Sequence, residues 1–424
     1  MSPNAVHAVP SDFQVANPHA LATILEASET RSIIASSDIF DINGMKLWAR
    51  NQPVSQELQR KLMDRSLQKP LETCLLAEDG VTPQSLKDAV QTLIDHEGVL
   101  TPLLRPHAHI LLQGVGDVRL HPVVQLLLSA VEAARPAAFH HAVHAMAMAG
   151  AIMGARQADR HMVAQAMTAA LLHDVGEMYI SPEYGEADAA YTLDVDTYRQ
   201  LVVHPHIGQL LLGQLTDYSK DVVRAVGEHH ERLDGSGYPH RLTGPQMSEL
   251  GKLLSAIEEA LSALRLPGAT LHHASVALRV VPGEFDEHLA GPLAAAARVV
   301  APLRARQSGE DLMHALSQLD FSLQGAMNRL TLMLPEQPSD GLQRAAALCH
   351  HLLHKLRQGW NESGLWGPGA MMIDQIGEAE AVQDALRARL ITIERMARLA
   401  AGELSDVEQD SLDAFCAALV LSDE

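Results

Sequence analysis

Ala169-Ala170-Leu171-Leu172-His173-Asp174-Val175-Gly176, then His204-Pro205-His206-Ile207-Gly208, then His229-His230-Glu231-Arg232-Leu233-Asp234-Gly235-Ser236-Gly237-Tyr238-Pro239 are three pieces of one stretch, and the fold turns on how they are read. An apolar helix over 162–172 runs into the His-Asp pair, with Gly176 available for the helix stop. His204 stands at the mouth of a second helix opened by Pro205. His229 and His230 end a third, patterned by Val222, Val223 and Val226. Three turns of chain can therefore aim imidazole and carboxylate inward. A carboxylate at the end of an apolar helix needs a cation or a metal, because burying it alone is costly. Imidazole with carboxylate, and no thiolate, suits iron, manganese or zinc rather than a structural zinc site. Two adjacent pairs plus a further His exceed what one tetrahedral ion takes, which points to a two-metal centre.

Working outward, a helix over 139–154 carries His140, His141 and His144, and its run from Met146 to Met153 reads as adaptable core filler. After Pro245 comes a helix with the stripe Leu250, Leu253, Leu254, Ile257, Leu261 and Leu264. Glu258 falls on that stripe, where a carboxylate needs compensation. Between these, Gly235, Gly237 and Pro239 set an unusual loop backbone that presents Tyr238.

His-Asp, His-Pro, His-His-Glu and Gly-Tyr-Pro in this order resemble the HD-GYP domains, a branch of the HD metal-dependent phosphohydrolases associated with hydrolysis of cyclic di-GMP. The likeness runs over about residues 140–289, roughly a third of the chain. It implies an HD-type helical catalytic domain, and with a small α+β N-terminal module before it and a C-terminal helical bundle read from the pattern beyond it, the expected fold is mainly α. It implies metal ligands at His141, His173, Asp174, His204, His229, His230 and Glu258, with Asp174 bridging two transition-metal ions, iron or manganese. His141 best matches the family's first-helix ligand, and His140 and His144 remain open at an offset of a few residues. His173 and Asp174 are the catalytic pair on this reading, and Gly237, Tyr238, Pro239 and Arg265 line the substrate wall. The expected reaction opens cyclic di-GMP to a linear dinucleotide or GMP. Three departures bear on it: Glu258 stands where the family has Asp, Glu177 where it usually has Lys, and Arg265-Leu266-Pro267 replaces a more basic element. They leave two other readings: a weakly active or inactive signalling module that keeps its metal site, and hydrolysis of another phosphoester.

The 424 residues are too many for one small core, and the expected division is a mobile arm over 1–30, a small α+β module over 31–120, the phosphohydrolase domain over 121–305 and a helical bundle over 306–424. Only 4% of residues are aromatic, so packing rests on Leu, Ala, Val and Met, which favours helices. Ile33-Ile34, Ile39 to Ile42 and Met45 to Trp48 read as short strands, with Asn43-Gly44 as a tight hairpin turn, and a helix over 55–66 follows. Helices are expected over 86–96 and 122–134, with Gly114 and Gly116 in a loop between them. A net charge of −20 argues against a nucleic-acid polymer as partner. Cys74, Cys349 and Cys416 are scattered, with no disulfide framework, and no apolar stretch is long enough to span a bilayer, so the expectation is a cytoplasmic protein without a membrane partner. In the last segment Leu312, Leu316, Leu319, Leu323, Ala326, Leu330 and Met333 repeat as a heptad stripe, a candidate dimerisation or partner-binding surface, and Ser405 with Glu408 reads as a capping box. Cys349, His350, His351 and His354 crowd one helix there. His350 and His354 share an i, i+4 spacing but have no evident carboxylate partner, and are not read as a metal site.

Overall fold

The structure, a computed structural model, describes residues 13–182, 195–335, 337–363 and 373–419. The first twelve residues of the expected arm lie outside the described residues. Much of the rest of that arm is helix α1 (Pro18–Ala27), because Asn17 caps it, its side chain accepting from His19 N at 2.9 Å and Ala20 N at 3.0 Å. The chain divides into two compact units, one formed by Met1–Thr192, Gln200–Glu231 and Gly237–Ile257, the other by Leu193–Arg199, Arg232–Ser236 and Glu258–Glu424.

In the first unit β1 (Ile33–Ala35), β2 (Ile39–Phe40) and β3 (Lys46–Trp48) precede helix α2 (Gln56–Leu62), which is shorter than expected. Strands β2 and β3 form the expected antiparallel hairpin. Its turn is closed by Asp41, whose Oδ1 accepts from Asn43 N at 3.0 Å and Met45 N at 2.9 Å, and Gly44 takes the left-handed φ of +82°. Strand β1 pairs instead with β4 (Leu75–Ala77), which no alternation in the sequence marks. Helices α3 (Pro83–Asp95), α4 (Thr101–Leu104) and α5 (Ala108–Asp117) follow. The last corrects the expectation of a loop at Gly114 and Gly116: both lie within α5. A Cβ on Gly114 would stand 2.6 Å from Met167 Sδ, so this glycine serves close helix packing rather than a turn.

Helices α6 (Pro122–Ala134), α7 (Pro136–Ala155) and α8 (Arg160–Leu172) form the scaffold of the site. Residues Ala145 to Gly154 of α7 are buried on every face, as befits a helix of Ala, Met, Gly and Ile that runs through a core. Asp159 caps α8 through Met162 N at 2.9 Å. A 3-10 turn (Val175–Tyr179), α9 (Val195–Leu201), α10 (His204–Leu215) and α11 (Lys220–Glu228) come next. Helix α12 (Glu249–Leu264) starts at Glu249, and Pro245 belongs to a separate 3-10 turn rather than opening the helix.

The second unit holds the last turns of α12, then α13 (Leu271–Ala277), α14 (Glu287–Ala297), α15 (Gly309–Leu332), α16 (Asp340–Ser363), α17 (Ile373–Ala401) and α18 (Asp406–Leu419). Leu312, Leu316, Leu319, Leu323, Ala326, Leu330 and Met333 are all buried, with α15 packed on α16, α17 and α18. The heptad stripe is thus covered within its own chain, which corrects the reading of it as a surface that needs a second copy. A buried ion network joins α12, α13's outlet and α17: Arg389 reaches Glu259 at 2.6 Å and Glu284 at 2.9 Å, and Arg232 reaches Glu259 at 3.0 Å. Burial pushes the Glu284 carboxyl up, against the pull of Arg389, so each charge here is tolerable only with its partners in place.

Candidate metal centre

Each histidine of the motif sits at a helix end or on a buried helix face, and the local backbone sets its ring. His173 caps the C-terminus of α8 and its Nδ1 lies 2.7 Å from Ala170 O. His204 is the first residue of α10, one residue earlier than expected, with Nδ1 2.7 Å from Leu201 O. His229 caps α11 with Nδ1 2.6 Å from Val226 O. A carbonyl only accepts, so in all three rings Nδ1 carries a proton and Nε2 is the ring atom turned to the cluster. This orientation is the one metal-binding imidazoles are held in.

The Nε2 atoms then meet in pairs. His204 and His229 stand Nε2 to Nε2 at 3.0 Å, and His141, on α7, faces His173 in the same way at 3.1 Å. Two imidazole nitrogens at that separation need a proton or a metal ion shared between them. Asp174 stands between the pairs: Oδ1 is 3.4 Å from His204 Nε2 and 3.3 Å from His229 Nε2, while Oδ2 is 3.4 Å from His141 Nε2 and 3.1 Å from His173 Nε2. Asp174 Oδ1 is buried and accepts no hydrogen bond. His230 completes one side, its ring 4.3 Å from that of His229 and 5.1 Å from that of His204. The candidate ligand atoms of Asp174, His204, His229 and His230 all lie within 4.8 Å of one another.

Charge follows the same plan. Burial alone would push the Asp174 carboxyl up, but His173, His141 and His204 outweigh it and hold the group well below the usual carboxylate range. Burial, helped by His230, pushes His229 down to about 3 against its contact with Asp174, so the ring is neutral and able to ligate. Imidazole nitrogens set around one ionised carboxylate fit a divalent transition-metal site.

Among the first-helix histidines it is His141 that meets Asp174; His140 is exposed and His144 half-buried on α7. Glu258, on the second unit's part of α12, is buried, and its Oε1 accepts from Arg265 Nη2 at 3.2 Å. Arg265, expected at the substrate wall, is therefore tied to a carboxylate. Tyr238 stacks on His230 at 4.5 Å and 17°, and its N–H donates to His230 O at 3.1 Å, so the Gly-Tyr-Pro loop lies against the cluster. Glu177 is only 5% exposed, within the 3-10 turn, rather than an anion in open solvent.

Three supports have roles that the sequence does not reveal. Gly176 lets the 3-10 turn press on α10: a Cβ there would stand 2.0 Å from His204 O and 2.7 Å from Gly208 N. Glu231, fully buried after the His-His pair, accepts from His240 N at 2.7 Å and Leu242 N at 2.8 Å and so pins the following loop. Glu228, also buried, accepts from Arg224 Nε at 2.6 Å and from Ser248 N at 2.8 Å. An acidic residue just before and just after adjacent histidines is a usable hint, but which loop it pins is set by tertiary structure.

Residues 125–282 match the model of the HD domain family. The chain is 34% identical over 99 residues to a 3'3'-cGAMP-specific phosphodiesterase of Vibrio cholerae, covering 23% of this chain and 21% of that protein. It is 29% identical over 138 residues to a cyclic di-GMP phosphodiesterase of Pseudomonas aeruginosa, covering 32% of this chain and 33% of that one. The chain thus spans between a fifth and a third of the length of these two relatives. Of solved structures, an HDG"Y"P protein from Bdellovibrio bacteriovorus superposes with a TM-score of 0.36 and 15% identity, over 64% of this chain and 98% of that one, which adds nothing to the assignment. The matched family and the relatives define the class of this part of the chain: residues 125–282 carry an HD domain, and the His-Asp, His-His-Glu and Gly-Tyr-Pro motifs within it resemble those of the HD-GYP branch.

Proposed function

We propose that this cluster holds two transition-metal ions, iron or manganese, and that the protein hydrolyses a phosphodiester bond of a cyclic dinucleotide, cyclic di-GMP in particular. The observation that carries the reading is the pair of facing Nε2 contacts at 3.0 and 3.1 Å on the two sides of one carboxylate. On this reading His141, His173, Asp174, His204, His229, His230 and Glu258 would hold the ions. When bound, the ions supply a nucleophilic water near neutral pH and stabilise charge on the phosphoryl and leaving oxygens. The chain's own part is positional. Backbone carbonyls of Ala170, Leu201 and Val226 fix the imidazole tautomers, and Tyr238, stacked on His230, walls one side for a base or ribose. The two relatives are named for different cyclic dinucleotides, so the shared class is the cyclic dinucleotide and cyclic di-GMP is the finer choice.

One observation favours the alternative of a weakly active or inactive signalling module that keeps its metals: the cation that would greet a phosphate at Arg265 is engaged by Glu258. Elemental analysis of anaerobically purified protein, with turnover of cyclic di-GMP and 3'3'-cGAMP, separates the readings. About two ions per chain with turnover supports hydrolysis. Two ions without turnover supports the signalling module, and no bound metal removes both.

A further inference from the structure

The loop after Gly-Tyr-Pro holds a cation in an unfavourable place. Arg241 has φ +54°, in the left-handed region where a side chain is strained and glycine is not. The cause is visible: the buried Glu231 carboxylate takes the N–H of His240 on Oε1 and that of Leu242 on Oε2, and residue 241 is bent between them. A purely structural need at this corner would be met best by glycine. The chain has Arg instead, exposed, and with no hydrogen bond or ion pair among the described residues.

Its surroundings give that charge a use. Three residues earlier Tyr238 stacks on His230, and the adjacent His240 ring stands 5.6 Å from His206, two residues after His204. The loop that carries Arg241 therefore borders the cluster. Other arginines of this unit that touch the site's supports are engaged: Arg224 by Glu228, Arg135 by Thr23 Oγ1 at 2.7 Å and Glu177 O at 3.4 Å. In a chain of net charge −20 a substrate with two phosphates needs a local cation. A guanidinium matches a phosphate as a planar two-pronged donor.

We propose that Arg241 is a specificity-determining residue that pairs with the second, non-reacting phosphate of a cyclic dinucleotide. The inference rests on the cyclic-dinucleotide reading of the metal centre. It separates the phosphate held for hydrolysis from the one recognised at a distance, and it explains why a strained position keeps a charged side chain.

The test compares metal-loaded full-length wild type with Arg241→Gly, Arg241→Lys and Arg241→Glu. With cyclic di-GMP, Arg241→Gly should raise KM about tenfold, the loss of one charge-assisted contact, with kcat within about twofold. Arg241→Lys should stay within about threefold of wild type and Arg241→Glu should exceed the glycine variant. Hydrolysis of bis(p-nitrophenyl) phosphate, which has a single phosphate, should be the same in all four proteins. The Tm of Arg241→Gly should equal that of wild type or rise by about 1–2 °C as backbone strain is relieved. An unchanged KM for Arg241→Gly, an equal loss on the single-phosphate probe, or a drop in kcat at constant KM overturns the inference and leaves the phosphodiesterase reading intact. A wild type that cleaves the nitrophenyl diester but neither cyclic di-GMP nor 3'3'-cGAMP breaks the phosphodiesterase reading itself, and the role of Arg241 with it.

Discussion

Histidines crowd two places among the described residues, and the two are built differently. At the α7–α11 cluster the rings are buried, three of them donate Nδ1–H to carbonyls three residues upstream, and one carboxylate serves both pairs. On α16, His350, His351 and His354 are exposed, and His351 Nε2 meets Asp234 O at 2.8 Å. His350 and His354 share the i, i+4 spacing but form no metal-ligand group with a carboxylate among the described residues. Spacing puts two imidazoles on one face; ligation also needs a fixed tautomer, an anion and exclusion of water. The C-terminal bundle uses one of its carboxylates for capping. Glu408 accepts from Ser339 N at 2.7 Å and Ser405 Oγ at 2.9 Å, as the Ser405–Glu408 pattern predicts.

The comparison breaks most visibly at Asp174. Asp174→Ala is expected to lower phosphodiester hydrolysis by roughly a thousandfold or more and to reduce bound metal from two ions to one or none, since one carboxylate faces both imidazole pairs. Elemental analysis beside a turnover assay reads both, and full activity in this variant would rule out the two-metal centre.

Next in size is Gly176→Ala. A Cβ 2.0 Å from His204 O forces the 3-10 turn off α10, and a cost of about 2–4 kcal/mol in unfolding free energy is expected, with metal content falling because His204 moves relative to Asp174. Denaturant melts with and without a chelator measure it. Equal melts for wild type and variant would show that α10 yields without harm.

A smaller effect concerns acid. The backbone N–H of Ser339 and the hydroxyl of Ser405 hold Glu408 down to about 2, from an ordinary value of 4.5. Its folded pKa is depressed, so its contribution is present above about pH 4.5 and lost as pH falls toward 2. Glu408→Gln should flatten that part of the stability curve and change neither metal content nor turnover. A wild-type curve indistinguishable from that of the variant between pH 5 and 2.5 would show that the cap contributes nothing.

The smallest expected effect is the sharpest control. His350→Ala with His354→Ala should leave metal content unchanged, and any loss of bound ion would show that exposure and the lack of a carboxylate do not disqualify a site.

The sequence alone determined the helical class, most helix spans of the HD domain and the types of candidate ligand, because helix periodicity, caps and the His-Asp, His-Pro, His-His-Glu and Gly-Tyr-Pro runs are local patterns. Helix α6 falls on the expected residues, and α7, α8 and α12 lie close to theirs. Tertiary structure alone decided that β1 pairs with β4 and that the α15 stripe is covered within its own chain, and it brings His141, the first choice among three first-helix histidines, to Asp174. It also decided that Gly114 and Gly176 are points of close approach and that Arg241 is bent by Glu231. These depend on what lies across space from a residue, and periodicity along the chain carries no record of that.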